Sequence, residues 1–245
     1  MKRVTLPGGL EVWALNATDA GVLHQQIFVN GAYAGHGLTV RDGDCIFDCG
    51  ANIGLCSLWL MRQHRGLRVF AFEPNPEVFE ALKRNVPEAI TLPFGLSDRA
   101  GRAELTYDPF VSSTGSIVPA PALDPGALAK DLGVPRAAAA AIGLVRRLAR
   151  RTVTVPLRSL SDVVAEHHVD RIDLLKVDVE GVEAQVLAGL SDADWPKVRQ
   201  AVVETSDVEG ISKTLHDRGF QLAVDQEPFE SIKALGLHNV YAVRR

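Results

Sequence analysis

Two acidic residues and a glycine-rich turn form the first group that could bind a ligand. Asp48 lies near the end of the short apolar run CIFDC, just before GANIG at 50–54, and Glu73 closes the next apolar run, RVFAFE, about 25 residues later. Glycines at such a turn let the backbone approach a ligand closely, and a helix that begins there offers free N–H groups. In open α/β sheets, ligands bind at the carboxyl ends of the strands, where an acid at this spacing suits the two hydroxyls of a ribose. The pattern predicts a site for an adenosine compound.

The turn also bears on which adenosine compound binds. Aligned on Gly50, the dinucleotide fingerprint G-x-G-x-x-G would need glycines where the chain has Asn52 and Leu55. The pyrophosphate of NAD would therefore lose its best backbone contacts. S-adenosylmethionine carries an amino acid group instead of phosphates and tolerates a polar side chain here. The residues favour the methyl donor, with a purely structural glycine turn as the alternative.

The elements that must position these residues alternate between strand and helix. Strands are predicted at 45–49, 68–73, 90–94, 172–178, 198–204, 220–224 and 240–244, and helices at 55–64, 76–85, 159–168, 182–189 and 210–218. Such alternation is typical of a mostly parallel sheet covered on both faces. The last strand follows its predecessor without a helix and is expected to be antiparallel. The prediction is an α/β fold with a seven-stranded sheet.

Two segments depart from the alternation. Residues 1–40 are predicted to be a β-hairpin around Pro7-Gly8-Gly9 followed by a short helical or irregular lead-in at 25–37. Residues 107–152 are predicted to be a lid inserted into a single domain spanning 1–245. This insertion follows a β-ribbon at 102–106. It comprises a Ser/Thr/Gly/Pro-rich loop at 111–121 and helices at 125–132 and 136–151, the second with Leu144, Val145 and Leu148 turned inward.

The composition narrows the class of protein. The 245 residues are 47% hydrophobic and 23% charged, which argues against a disordered or membrane-embedded chain. A net charge of -4 argues against nucleic acid as a partner. The amino terminus lacks the apolar run of a signal peptide, and no membrane partner is expected. Cys45, Cys49 and Cys56 are expected to be reduced thiols in a cytoplasmic protein.

Several ordered motifs resemble one enzyme family. FDCGANIGL, FAFEPNP and LLKVDVEGVEAQVLAGL, with the lead-in AYAGHGLTVRDGD, resemble the FkbM-type methyltransferases. The tail from DWPKVRQAVVETSDVEG to HNVYAV is similar to those associated with polyketide and nonribosomal peptide assembly. The resemblance covers about residues 25–245 and is weakest across 111–151. It implies a Rossmann-like class I fold and an S-adenosylmethionine-dependent O-methyltransferase acting on a small molecule of that kind.

The resemblance also implies roles for individual residues. Those that match the first motif, around the methionine end of the cofactor, are Asp48, Gly50, Asn52 and Gly54. Glu73 matches the ribose-binding acid, and Pro74 and Asn75 lie beside it, under the adenine. Leu96, Ser97 and Asp98 match the adenine edge. For Ser97 and Asp98 an ordinary turn is the alternative.

Methyl transfer to a hydroxyl needs in-line alignment and benefits from a base on the same edge of the sheet. Asp178, at the end of LLKVD, is the leading candidate, and supporting the cofactor amine is its alternative role. Glu180 and Glu183 extend this acidic cluster, and His238 is a second candidate for proton transfer. Glu204 and Asp207 are predicted to bind substrate. With Asp178 they could also hold Mg²⁺, which nothing in the spacing requires, so no metal is predicted.

The arginine-rich segment 146–151 leaves two interpretations open. It is either the solvated side of a lid helix or a docking face for an acidic acyl-carrier protein, so the substrate is either free or carrier-bound. The same residues would also serve a sugar or glycolipid O-methyltransferase. A non-catalytic S-adenosylmethionine-binding protein is the remaining alternative.

Overall fold

A seven-stranded sheet forms the centre of the computed structural model, which describes residues 1–109, 111–117, 126, 129–130, 133–226 and 236–244. Across the sheet the strands are β12 (Gln221–Asp225), β13 (His238–Val243), β11 (Gln200–Thr205), β10 (Leu174–Val177), β3 (Cys45–Cys49), β4 (Arg68–Phe72) and β5 (Ile90–Leu92). All neighbours pair in parallel except β13, which is antiparallel to both β11 and β12. This is the strand arrangement of a Rossmann-like class I methyltransferase, and it confirms the predicted mostly parallel sheet with an antiparallel last strand.

The strand order reverses between β3 and β10. Strands β4 and β5 continue the sheet on one side of β3, while β10 and its followers extend it on the other. The carboxyl ends of β3, β4 and β10 therefore meet at one edge, and a crevice opens where the order reverses. The residues that follow these three strands are brought together at this crevice.

Both faces of the sheet are buried because alternate side chains of each strand point to opposite faces. On one face Phe47, Phe70 and Phe72 pack with helices α5 (Leu160–Glu166), α6 (Glu183–Ala188) and α7 (Val208–Asp217). On the other, Ile46 and Val69 pack with α2 (Leu55–Gln63) and α3 (Pro76–Asn85). The helices start and end within a few residues of the predicted positions.

The N-terminal segment packs on the second of these faces. The predicted hairpin is confirmed as β1 (Lys2–Leu6) and β2 (Leu10–Ala14). Helix α1 (Ala17–His24) then continues as a π-helical segment, Gln25–Val29, so helical structure begins before the lead-in predicted at 25–37. The Asn16 side chain caps this helix by accepting a hydrogen bond from the Thr18 N–H at 2.8 Å.

The insertion carries more β-structure than predicted. A second sheet has the order β6 (Gly95–Leu96), β9 (Arg151–Arg158), β7 (Gly101–Asp108) and β8 (Val111–Ser116). The loop predicted at 111–121 is therefore wrong for residues 111–116, which pair with the free edge of β7. Pairing with a neighbouring strand has outweighed the turn-forming composition of this segment. Most of the predicted helix at 125–132 lies outside the described residues.

Helix α4 (Arg136–Ala149) is confirmed, but its apolar side chains are not turned inward as predicted. Leu144, Val145 and Leu148 are 59%, 58% and 79% exposed, whereas the small Ala139 is fully buried. The prediction was wrong because it assumed a partner for the larger apolar face. The side chains of Arg146 and Arg147 lie outside the described part of the structure.

The composition led us to expect reduced cysteines and no membrane-spanning segment. Cys45, Cys49 and Cys56 are buried free thiols, and burial raises the pKa of Cys45 to about 11. In the described ranges, no helix combines the length and apolar character that crossing a bilayer requires.

Candidate active site

The turn after β3 forms the floor of the crevice. Gly50 has a φ of +78°, and a Cβ there would lie 1.8 Å from the backbone oxygen of Asp178, so no other residue fits without a backbone shift. The N–H groups of Gly50 and Ala51 both donate to the Phe72 oxygen, at 3.1 and 2.8 Å. Asn52 also has a positive φ, and its Oδ1 accepts from the Ile53 N–H at 2.6 Å. The turn is thereby hydrogen-bonded to the end of β4 and packs closely against Asp178, the residue after β10.

Glu73 lies directly after β4 and is tied to this turn. Its two carboxylate oxygens accept hydrogen bonds from the Asn52 N–H at 3.1 Å and the Asn75 N–H at 2.8 Å. The side chain is 8% exposed, and its burial raises the pKa of Glu73 to about 7 against the opposing effect of these hydrogen bonds. An ionised carboxylate offers roughly four acceptor positions, so two remain for ligand hydroxyls.

A buried ion cluster lies beneath the crevice. The Lys176 ammonium donates to the Gly50 oxygen at 2.8 Å and lies 3.1 Å from Asp48 Oδ1 and 3.4 Å from Asp178 Oδ2. Ser57 donates to the other oxygen of Asp48 at 2.7 Å. Although burial alone would lower the pKa of Lys176, the carboxylates of Asp48 and Asp178 raise it above its usual value. Asp48 is therefore a buried support for Lys176 and α2, and it does not reach the cavity wall.

An acidic wall follows β10. Asp178, whose side chain is 23% exposed, accepts a hydrogen bond from the Tyr33 hydroxyl at 2.8 Å. Glu180 follows with a φ of +61°, and its backbone oxygen accepts from the Ser116 hydroxyl of β8 at 2.6 Å. Burial, and then the charges of Asp178 and Glu183, raise the pKa of Glu180 well above that of an ordinary glutamate. Burial, and then the charges of Asp178 and Glu204, likewise raise the pKa of Tyr33.

The glycine turn, Glu73 and the acidic wall line one cavity of about 920 Å³, counted with its mouth open to solvent. Of the predicted site residues, the structure brings six to its wall: Gly50, Asn52, Glu73, Pro74, Leu96 and Asp178. Glu180, which was predicted only to extend the acidic cluster, also lines it, as do Tyr33 and Lys176, which were not predicted. The cap sheet, which we define as β6, β9, β7 and β8, contributes Leu105, Gly115 and Leu157. The cavity therefore lies between the main sheet and the cap sheet.

The remaining cofactor candidates are near the cavity without lining it. Gly54 begins α2, where a Cβ would lie 2.8 Å from Leu82 Cδ1. Asn75 caps α3 by accepting from the Glu77 N–H at 3.0 Å. Ser97 donates to Asp98 at 3.2 Å, and Asp98 pairs with Arg99, as in an ordinary turn.

The predicted substrate residues and His238 also lie away from the wall. Asp207 caps α7 by accepting from the Gly210 N–H at 3.0 Å. Glu204 is half-buried in β11 opposite Asn239. His238 begins β13, and its Nδ1 lies 2.9 Å from the Gly236 oxygen. Most of the loop before it, 227–235, lies outside the described residues.

Asp178, Glu204 and Asp207 do not form the carboxylate group that would hold Mg²⁺. Among the residues that the structure describes, no three His, Cys, Asp or Glu side chains are grouped so as to hold a metal ion. Asp178 faces Lys176 and Tyr33 instead, and Asp207 is used as a helix cap.

The cavity has the groups that an adenosyl amino acid requires. Glu73 is the residue whose carboxylate oxygens could bind ribose hydroxyls. Phe72, Pro74 and Leu96 form an apolar wall beside it for an adenine ring. Leu55 and Cys56 begin α2 on the other side, where N–H groups of the first helical turn have no carbonyl partner within the helix and suit a carboxylate.

Comparison with known proteins agrees with this geometry. The profile of a family described as "Methyltransferase FkbM domain" matches residues 48–222. The chain is 34% identical over 262 aligned positions to 31-O-demethyl-FK506 methyltransferase FkbM of Streptomyces tacrolimicus, covering 100% of this chain and 97% of that protein. It is 35% identical to Methyltransferase sdnD of Sordaria araneosa, covering 89% and 88% of the two chains.

A third relative is much longer. The chain is 31% identical to the AMB antimetabolite synthetase AmbE of Pseudomonas aeruginosa over 98% of its own length and 12% of that protein. The family match and the full-length similarities agree with the strand order of the sheet. The chain therefore belongs to the FkbM methyltransferase family and is an S-adenosylmethionine-dependent methyltransferase.

Proposed function

We propose that this enzyme methylates a hydroxyl oxygen of a small molecule of the polyketide or peptide natural-product type. The observation that carries the proposal is the acidic wall, because Asp178 and Glu180 line the same cavity as Glu73. Carboxylates at this position are suited to hold a hydroxyl and to accept its proton. The relative named as an O-demethyl-FK506 methyltransferase supports oxygen as the acceptor atom.

Different residues of the cavity would bind different parts of the cofactor. S-adenosylmethionine, when bound, supplies a methyl group activated by a sulfonium. Glu73 would hold its ribose, the wall of Phe72, Pro74 and Leu96 would pack on its adenine, and the start of α2 would receive its carboxylate. The cap sheet contributes one side of the cavity, through Leu105, Gly115 and Leu157.

The test is transfer of a ¹³C-labelled methyl group to a panel of hydroxyl-bearing macrolides, peptides and sugars. We expect a labelled product whose ¹³C chemical shift is that of a methyl ether, with one S-adenosylhomocysteine released per product. A label on nitrogen or carbon would contradict the proposal. Binding of S-adenosylhomocysteine without transfer to any acceptor would favour the non-catalytic binding protein, and transfer to sugars alone would assign a sugar methyltransferase.

We also propose that the acceptor is presented by an acidic acyl-carrier protein that docks on α4. This helix exposes Leu144, Val145 and Leu148, and its first residue, Arg136, and the residue after it, Arg150, are exposed as well. An apolar centre with a basic rim is complementary to an acidic protein surface. The match to a small part of a synthetase supports a substrate attached to a larger assembly.

Replacing both Leu144 and Leu148 with serine tests this docking. We expect the KM for a carrier-bound acceptor to rise about tenfold, because an apolar anchor at an interface is worth at least about 1.4 kcal/mol. The rate with the same acceptor in free form should be unchanged. Ala137→Ser with Ala138→Ser, at exposed positions of the same helix, is the matched control. Equal effects on the two forms of the acceptor would remove the docking proposal.

A further inference from the structure

The two carboxylates of the acidic wall differ in how far they are already engaged. Asp178 Oδ2 accepts the Tyr33 hydrogen bond at 2.8 Å and lies 3.4 Å from the Lys176 ammonium. To take a proton on that oxygen, Asp178 would have to release Tyr33 and leave a buried ammonium with one carboxylate fewer. Removing one partner from a buried ion pair is costly. The Asp178 carboxylate is therefore suited to keep its contacts with Tyr33 and Lys176.

Glu180 is held in an unusual backbone conformation at the cavity wall. Its φ of +61° lies in the left-handed region, which a residue with a side chain adopts only when its surroundings impose it. Two hydrogen bonds hold the backbone around Glu180. Ser116 of the cap sheet donates to the Glu180 oxygen at 2.6 Å, and Glu183 accepts from the N–H of the next residue, Gly181, at 2.7 Å. In this conformation Glu180 lines the cavity, next to Asp178.

The charged groups around Glu180 come from three elements. Asp178 and Lys176 belong to β10 and the residue after it, Glu183 to α6 and Asp19 to α1. Burial and the three carboxylates raise the pKa of Glu180, and Lys176 opposes them. A carboxyl group in these surroundings can exchange a proton closer to neutral pH than an ordinary glutamate.

We propose that Glu180 is the catalytic residue that accepts the proton of the acceptor hydroxyl, and that Asp178 is a positioning residue for Lys176 and Tyr33. This inference rests on the proposed O-methylation. The transfer forms an O–CH₃ bond and breaks the S–CH₃ bond, whose electron pair remains on sulfur. The hydroxyl proton passes to a Glu180 oxygen and from there to solvent.

Kinetics on variants test the assignment with the acceptor identified by the labelled-methyl panel. Glu180→Gln should lower kcat by about 10²–10⁴-fold and abolish the fall in rate at low pH, because the group that must ionise is gone. Asp178→Asn should keep that fall in rate, and exposed Glu209→Gln is the matched control that should change neither quantity. A wild-type pH profile in Glu180→Gln, or its loss in Asp178→Asn alone, would overturn the proposal.

A second measurement needs no acceptor. In protein labelled with ¹³C at the glutamate carboxyl carbons and saturated with S-adenosylhomocysteine, a resonance that titrates well above those of exposed glutamates should be absent in Glu180→Gln. The resonances of Glu73 and Glu183, whose pKa values are also raised, should remain. Calorimetry should give the two proteins equal affinity for S-adenosylhomocysteine. If the Glu180 resonance titrates like that of an exposed glutamate, Glu180 is not the proton acceptor.

The two measurements separate this inference from the proposed function. A label found on nitrogen or carbon would refute O-methylation whatever the Glu180 resonance shows. A methyl ether formed at the normal rate by Glu180→Gln would refute only the role of Glu180.

Discussion

The two ends of the cavity are built differently. At the β3–β4 end, the wall comes mainly from two short stretches at the ends of these strands, 50–53 and 72–74. At the β10 end, the wall combines Tyr33 from the N-terminal segment, Ser116 from the cap sheet, and Asp178 and Glu180. The first end depends on backbone geometry within neighbouring turns, and the second depends on side chains from distant parts of the chain. Substitutions that shift the backbone should therefore be most harmful at the β3–β4 end of the cavity. Substitutions that alter the charge or hydrogen bonding of a side chain should be most harmful at the β10 end.

The largest effect is expected where the two ends touch. Gly50→Ala places a Cβ 1.8 Å from the Asp178 oxygen and also strains a φ of +78°. We expect the free energy of unfolding to fall by about 3–5 kcal/mol, from backbone displacement and the left-handed penalty together. Gly8→Ala is the matched control, because its φ is +74° with nothing within 4 Å of the added Cβ. It should cost about 1–2 kcal/mol by urea denaturation, and equal losses in the two variants would show that the turn and β10 are not in contact.

The next effect is the pH dependence of stability from Glu73. Its pKa is about 7 in the folded chain against 4.5 when unfolded, so the folded state binds the extra proton between these values. Stability conferred by that proton is present below pH 4.5 and is lost as the pH rises through 7. In the wild-type protein this effect should lower the free energy of unfolding by up to about 3 kcal/mol over that pH range, and the decrease should be absent in Glu73→Gln. Urea denaturation of the ligand-free proteins from pH 4.5 to pH 8 gives the two slopes, and parallel slopes would mean that Glu73 ionises normally.

Cofactor binding should respond to the same residue to a smaller extent. Glu73→Ala removes the carboxylate that would bind the ribose hydroxyls, and hydrogen bonds to a charged group are worth about 1.5–3 kcal/mol. The Kd for S-adenosylhomocysteine should rise by about 10–150-fold by isothermal titration calorimetry. Tyr33→Phe, at the other end of the cavity, should leave this Kd within about twofold. Unchanged affinity in a folded Glu73→Ala protein would count against the ribose assignment.

The same contrast explains how much of the site could be predicted from the sequence. Strand ends and the glycine turn are local patterns, so the sequence could predict the sheet and could point to Gly50, Asn52, Glu73 and Asp178, which line the cavity. Which side chains at a strand end remain available is decided by tertiary contacts. Asp207 is used as a cap, although its position three residues before Gly210 is a recognisable helix-start signal. No local pattern brings Tyr33 or Ser116 to β10, because their contacts span 145 and 64 residues of the chain.

The insertion shows a second limit of periodicity. The apolar spacing of α4 correctly predicted a helix, but Leu148 is 79% exposed because periodicity identifies an apolar face and not the surface that covers it. The prediction for residues 111–116 was wrong in the opposite way. Their composition favours turns, but they pair with the open edge of β7 and form a strand. Both errors arise because the sequence does not show which distant segments pack together. The contacts of Tyr33 and Ser116 at the β10 end of the cavity could not be predicted for the same reason.

The smallest effect tests whether Glu180 stores backbone strain at that end. Glu180→Ala and Glu180→Gly both remove the carboxyl, but only glycine adopts a φ of +61° without penalty. We expect the glycine variant to be more stable than the alanine variant by about 1 kcal/mol in urea denaturation, with both equally slow in methyl transfer. The order should reverse at a helical position such as Glu209, where glycine costs about 1 kcal/mol relative to alanine. If alanine were the more stable variant at position 180 as well, the left-handed conformation would be absent in solution, and the carboxyl would have to reach the cavity wall without the backbone geometry on which its proposed role depends.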